Sequence, residues 1–271
     1  MSLTSFLDNV DVKQKFRQEF PKPRFRTKTA PLAPPLTNHY GLVGTAFDYL
    51  LRFYIKYLNP QKAMDRKWTA KMALEIIKAK NYEPLYEKAC NILSKAEENH
   101  SAFLETGGIN DELIKSTLLL AQLDLVFRTG IVDQNIGAID NKDVQDLRNL
   151  ISLVDPKTFE ANEKCLLNPT FGTASILVGG ADADLVVDDV IIEIKTQRKL
   201  ELRRDSFNQL IGYYVLYRIG GIDGMPPKRQ IKSLGIYFSR YSYFYVANVQ
   251  DIIDKNTFPR FLDWFKERAS Q

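Results

Sequence analysis

The chain has 271 residues, 45% of them hydrophobic and 26% charged, with 37 Lys and Arg against 33 Asp and Glu for a net charge of +4. Those proportions are ordinary for a globular chain long enough to bury a real core, suit one large domain with an insertion, and leave so mild a basicity that charge alone selects no partner. Two cysteines, Cys90 and Cys165, and two histidines, His39 and His100, form no CxxC, HExxH or HxH spacing, which excludes the usual zinc and iron–sulfur sites and leaves buried thiols and surface or helix-end imidazoles as the expectation.

Residues 1–38 read as a helix followed by an arm. Asp11 is the expected N-cap of a helix over "VKQKFRQEF". The prolines of "PKPRFRTKTAPLAPPLTN" then forbid helix and central strand, so this is an extended arm carrying Lys22, Arg24, Arg26 and Lys28. Helical spacing starts in "GLVGTAFDYLLRFYIKYLNP", where Val43, Phe47, Leu50, Leu51, Tyr54 and Leu58 share a face and Pro60 ends the pattern. Residues 61–160 continue as several amphipathic helices, an insertion with breaks near "KNYEP", "ETGGIND" and "GAIDNKD". The longest apolar run, "STLLLAQLDLVF", is broken by Gln122 and Asp124 and is too short for a bilayer span. With no signal-peptide order at the N-terminus, a cytoplasmic protein without membrane contact is expected.

From "NPTFG" onward β-branched residues take over. "TASILVGG", "ADADLVV" and "VIIEIKT" read as three consecutive strands, "DSFNQLIGYYVLYRI" as a helix and "GGIDGMPPKRQ" as a loop. "SLGIYFS" and "YFYVANV" read as strands and "FPRFLDWFKERAS" as a closing helix. The fold class is therefore mixed α/β (α+β), a central sheet flanked by helices.

The strand "VIIEIKT" places Glu193 and Lys195 where a buried strand would carry more Val or Ile. Alternation puts Val190, Ile192 and Ile194 on one face and Ile191, Glu193 and Lys195 on the other. If Asp188 and Asp189 make a two-residue turn, Val187 pairs with Val190, Asp184 lies opposite Glu193, and Asp182 lies opposite Lys195. Like charges so placed repel by roughly 4 kcal/mol at about 4 Å and an effective dielectric of about 20. A divalent cation held by oxygen ligands relieves that repulsion and keeps open positions for water and phosphate. The plain alternative is a solvated Glu–Lys face worth at most about 1 kcal/mol, and a three-residue turn would break the register.

These residues reach a known pattern. "ADADLVVDDVIIEIKT" resembles the core of the PD-(D/E)XK nuclease superfamily, and "FNQLIGYYVLY", with Gln209, Leu210 and Tyr213, resembles the QLxxY helix motif of its RecB-type branch. "VGTAFDYLLR" is similar to the preceding helix motif, through Gly44 and Asp48. The likeness covers roughly residues 40–58 and 170–245. It departs from the pattern at Ala183, where Pro is common, and at Asp48, where RecB-type relatives usually carry His; the cysteines of the iron–sulfur members are missing.

The resemblance implies a restriction-endonuclease-like sheet within a single nuclease domain. It implies Mg²⁺ or Mn²⁺ bound by Asp184, Glu193 and the Ile194 carbonyl, helped by Asp48, with Asp182 the rival first ligand. Lys195 would orient or activate water and steady the scissile phosphate, Gln209 would position substrate or Lys195, and Tyr213 would line the site. Plainer roles stand beside these: an Asp48–Arg52 surface bridge, Tyr213 as core, Gln209 as a solvated helix residue. Arg198, Lys199, Arg203 and Arg204 suit phosphate oxygens of a nucleic acid, with the basic arm a second candidate. The tyrosines of "YFSRYSYFYV" suit core and cross-strand packing better than base stacking. The expected activity is metal-dependent hydrolysis of DNA. An RNA nuclease, or a catalytically silent nuclease fold that binds nucleic acid or joins a DNA-processing complex, is the alternative.

Overall fold

Among the described residues, six strands form one mixed sheet whose spatial order follows the sequence. In this computed structural model, which describes residues 2–25, 27–133 and 135–271, two helices come first, α1 (Leu3–Leu7) and α2 (Val10–Glu19), then the long α3 (Tyr40–Leu58). The region after it holds β1 (Ala63–Asp65), α4 (Ala73–Ala79), α5 (Glu83–Thr106), α6 (Asp111–Thr129) and α7 (Asn141–Ser152). There follow β2 (Cys165–Leu167), α8 (Thr173–Leu177), β3 (Leu185–Val187), β4 (Val190–Lys195), α9 (Arg204–Gly220), β5 (Ser233–Phe238), β6 (Tyr243–Asn248), α10 (Val249–Ile252) and α11 (Phe258–Ala269). Strands β1/β2 and β4/β5 are parallel, the other neighbours antiparallel. Among the described residues, no helix is long and apolar enough to cross a membrane.

The period-2 alternation of the strands divides the apolar side chains into two cores. Leu185, Val187, Ile192 and Ile194 pack with α3 and the inserted helices, while Val186, Ile191, Leu234 and Ile236 pack with α1, α2, α9 and α11. Glu193 and Lys195 share the face of Ile191, the side that α9 covers.

Three sequence expectations give way. "TASILVGG" is not a strand: residues 173–177 form α8, because Gly172, Gly179 and Gly180 take positive φ around it and the Ser175 hydroxyl accepts from the Phe171 N–H at 2.9 Å while donating to the Ala181 carbonyl at 2.8 Å. The third strand of the set is instead β2, "CLL", and the insertion contributes the edge strand β1 beside it. Asp11 is not the cap of α2; Asn9 occupies that position without a side-chain capping bond, and Asp11 pairs with Arg268 at 2.6 Å. His100 sits within α5 and not at its end, stacked on Phe53 at 4.1 Å, with burial, then Lys56, pushing its pKa down to about 4. His39 does stand at a helix start, as the N-cap position of α3.

The proline-rich arm is extended, and the sheet's end holds it down. Phe25 stacks on Tyr243 at 5.5 Å, and Leu32 and Ala33 donate to the Arg240 carbonyl. Arg240, fully buried, donates to Asp146 of α7 at 2.8 Å and to the Ala33 carbonyl at 2.9 Å. Arg26 of this arm lies outside the described residues. Tyr237 and Tyr241 are buried and Phe238 packs near Phe25, so the aromatic run serves packing.

The β3–β4 turn fixes the register. Val187 pairs with Val190 and Leu185 with Ile192, as the two-residue turn requires. Asp188 takes the left-handed φ of 53°, and its carboxylate accepts the N–H groups of Asn162, Glu163 and Lys164 at 2.7, 2.9 and 3.1 Å. Arg229 joins at 3.2 Å. Burial works to raise the Asp188 pKa, but those three N–H groups and Arg229 bring it below the ordinary carboxylate value. Asp188→Asn keeps a residue tolerant of positive φ and removes the charge. We expect it to lower unfolding stability by about 1–2 kcal/mol at pH 7. A depressed folded pKa means the difference is full above the unfolded value and fades as pH falls through the folded one, which urea titrations of both proteins from pH 7 to pH 3 will follow.

Candidate functional site

Extending the β3–β4 register one step past Leu185 and Ile192 sets Asp184 against Glu193. Asp184 lies just before β3, where its carboxylate accepts the Ile194 N–H at 2.6 Å and its own carbonyl accepts from Asn168 at 3.0 Å. Asp182 lies two residues further from the turn and bridges to Thr170 on the β2 side. Ile194 turns its side chain into the other core, so only its backbone faces the site.

Glu193 is buried, at 3% exposure. Its Oε1 accepts from Lys195 at 2.6 Å, and Lys195 donates a second bond to Gln209 Oε1 at 3.0 Å. Gln209 passes the chain on to the Tyr213 hydroxyl at 2.7 Å. Gln209 and Tyr213 are one turn apart on α9, so both point at β4. Tyr213 is also core, stacked on Phe171 at 5.6 Å, and burial foremost, then the charges of Glu193 and Asp184, holds its phenol protonated. Burial alone would lower the Lys195 pKa; the charge and hydrogen bond of Glu193, then Asp184, outweigh it and leave the ammonium more firmly protonated than usual.

Asp48 comes from α3, which passes the end of β4 closely enough that a Cβ on Gly44 would meet Thr196 at 4.0 Å. The Asp48–Arg52 pair forms at 2.6 Å, although Arg52 is buried and not at the surface. Burial, then Glu193 and Asp48, drives the Asp184 pKa well above the ordinary value. Asp48 is also raised, mainly by burial, against the pull of Arg52.

Among the described residues, two buried carboxylate oxygens have no hydrogen-bond partner: Glu193 Oε2 and Asp48 Oδ1. An unsatisfied buried acceptor costs about 1–3 kcal/mol, more when charged. The surrounding charges point the same way. Asp48, Asp124, Asp182, Asp184 and Glu193 share their field with Arg52, Arg128, Lys195 and Arg203, so five formal negative charges meet four positive ones. Orphaned hard oxygens with that residual charge fit one divalent cation of the Mg²⁺ or Mn²⁺ kind, which takes one or two carboxylates and otherwise water and phosphate. Among the described residues, no three His, Cys, Asp or Glu side chains make a ready metal cage.

The basic cluster divides. Arg198 and Lys199 are exposed, Arg198 reaching Tyr40 at 3.3 Å. Arg203 is exposed and lies 3.6 Å from Asp205. Arg204 turns away, donating to the Phe20 carbonyl at 2.9 Å. Sequence reasoning passed over Asp124 and Arg128, which pair with each other on α6; the signal was the aspartate breaking an apolar run. Comparison with protein-family models, with curated proteins and with solved structures finds no match to this chain.

Removing one of the opposed charges should stabilise the cation-free protein. A folded pKa raised above the unfolded one gives stability that is present at low pH and lost as pH rises, so Asp184→Asn should melt about 2–4 °C higher than the parent at pH 8 in EDTA. Mn²⁺ should raise the parent's melting temperature and leave that of Asp184→Asn unchanged. Differential scanning fluorimetry with and without Mn²⁺ checks both.

Proposed function

We propose that this chain is a Mg²⁺- or Mn²⁺-dependent nuclease of PD-(D/E)XK type with a restriction-endonuclease-like fold, hydrolysing phosphodiester bonds of DNA. The observation that carries the reading is the unpartnered Glu193 Oε2 in a buried carboxylate directly across the hairpin from Asp184. Glu193, Asp184 and the Ile194 carbonyl would hold the cation, with Asp48 at its margin. Such an ion supplies charge neutralisation at the phosphate and lowers the pKa of a bound water.

The chain's own groups define the rest. Lys195 spends two of its three N–H donors on Glu193 and Gln209, which leaves one for a phosphate oxygen or a water. Because it is firmly protonated, it donates and stabilises developing negative charge; it is no proton acceptor. Gln209 is the positioning residue. Its oxygen faces Lys195, whose ammonium can only donate, while its amide N–H is taken by the Tyr213 hydroxyl. Burial of Glu193 and Tyr213 keeps bulk water off this side, where the preorganised ammonium is worth most.

Cleavage of linear, circular, single-stranded and branched DNA, and of RNA, with Mn²⁺ or EDTA is the assay. Mn²⁺-dependent cutting is expected, with Lys195→Ala slowed about 10²-fold or more and its melting temperature within a few degrees of the parent. Full activity of Lys195→Ala, or cutting in excess EDTA, rejects the mechanism. DNA binding without hydrolysis under any divalent cation would make the chain a silent nuclease-fold module.

A further inference from the structure

The sheet has one functional edge, where β4 ends and β3 begins. Reading the pairings across it, the residues following β1 lie beside those following β2, then Asp182 and Asp184, then Lys195, then the end of β5. The β1 flank of this edge carries a groove of about 740 Å³. One wall belongs to the inserted region: Arg66 and Lys67, exposed just after β1, with Phe127 and Arg128 of α6. The other wall is the loop that closes α8, whose Gly180 is exposed and has open space where a side chain would stand. Asp182 forms the end of the groove nearest the carboxylates.

From these features we infer that the groove binds a single strand of nucleic acid on one side of the scissile phosphate, a reading that rests on the proposed nuclease function for its placement though not for its chemistry. Three cationic side chains line a trough that runs up to the acidic centre. Phe127 is 39% exposed, has no partner ring among the described residues, and offers a flat face to a base. A duplex keeps its base faces stacked inside; only an unpaired strand can use that ring. The side-chain-free wall at Gly180 lets a sugar–phosphate backbone come close. From β1 to β4 is three strand spacings, about 14 Å, which spans a few nucleotides. On the opposite flank, the arm brings Lys28 beside Arg198 and Lys199 around a smaller cleft of about 230 Å³. The acidic centre therefore lies between two basic flanks, and the inserted helices supply the one that carries Phe127.

The test measures binding apart from cleavage. Fluorescence anisotropy of a labelled single-stranded DNA oligonucleotide and of its duplex, in EDTA, is compared for the parent, Arg66→Glu/Lys67→Glu, Phe127→Ala, and Arg218→Glu as a control in the distant cleft beside α9. The double reversal should weaken single-strand binding at least tenfold and flatten the log–log salt dependence by about 1.4, since each phosphate contact on a single strand accounts for about 0.7. Phe127→Ala should weaken the single strand about tenfold and leave duplex affinity unchanged, and Arg218→Glu should change neither. Parent-like single-strand affinity in both groove variants overturns the inference, as does an equal loss for duplex in Phe127→Ala. The two proposals fail separately. Groove-dependent binding without hydrolysis in Mn²⁺ rejects the nuclease and keeps the groove, whereas metal-dependent hydrolysis that the groove variants leave intact, together with unchanged affinity, rejects the groove and keeps the nuclease.

Discussion

The carboxylate of Asp188 is the constraint on which the site depends. It lies at the far end of the hairpin from the acidic centre, yet it determines what faces what. Because side chains alternate with a period of two, a slip of one residue would send Glu193 into the core beneath the inserted helices and bring Ile192 or Ile194 to the α9 side. Three backbone N–H groups from residues 162–164 and the Arg229 guanidinium close on Asp188. They also join the turn to the segment entering β2, whose Cys165–Leu167 pair with Leu185–Val187. The register of three strands is thus set by one anchored turn. The like-charged pair at the other end is tolerated because the pairing that produces it is enforced from elsewhere.

A fold that opposes two carboxylates has two ways to lower the cost, and this one uses both in part. Lys195 and Arg52 neutralise one oxygen each of Glu193 and Asp48. The remaining oxygen of each is left bare. Full internal neutralisation would have required only another Arg or Lys among the many that this chain spends on its surface. Oε2 and Oδ1 are thus left open while the opposite oxygens are paired, and Asp184 feels both carboxylates.

How much of this was legible in the sequence depended on how local each determinant is. The hairpin could be read because Val187 and Val190 flank two aspartates and branched residues alternate on either side. The α9 contribution could be read because Gln209 and Tyr213 stand one turn apart in a long helical pattern. The three-residue strands β1 and β2 could not, since "AMD" and "CLL" are too short to show any period. "TASILVGG" misled because its Ile and Val favour strand while the flanking glycines, which set the local turns, carry no sequence signal of their φ. Arg66, Lys67 and Arg128 were illegible as a group, being some sixty residues apart and united only when β1 joins β2 and α6 packs beneath. The arm was legible as extended from its prolines, but not its anchoring by Arg240, which lies some two hundred residues away.

The inserted helices are coupled to the acidic centre through α3 more tightly than a loosely attached lid would be. Tyr49, next to Asp48, donates to Asp124 of α6 at 3.0 Å and accepts from the Ala70 N–H at 3.0 Å. The Arg52 guanidinium lies over its ring at 4.5 Å. Asp124 in turn pairs with Arg128, which lines the groove. One buried hydroxyl therefore ties the residue beside the bare Asp48 oxygen, the segment after Arg66 and Lys67, and the helix that carries Phe127. A displacement of the groove wall by even a hydrogen bond's length would strand the Asp124 carboxylate or the Tyr49 hydroxyl in a buried setting, at about 1–3 kcal/mol for each group left unpaired. The groove wall and the residue beside the bare Asp48 oxygen are thus joined by one buried network, and under the proposed function the fold, through that network, would set where a strand against Phe127 lies relative to Lys195.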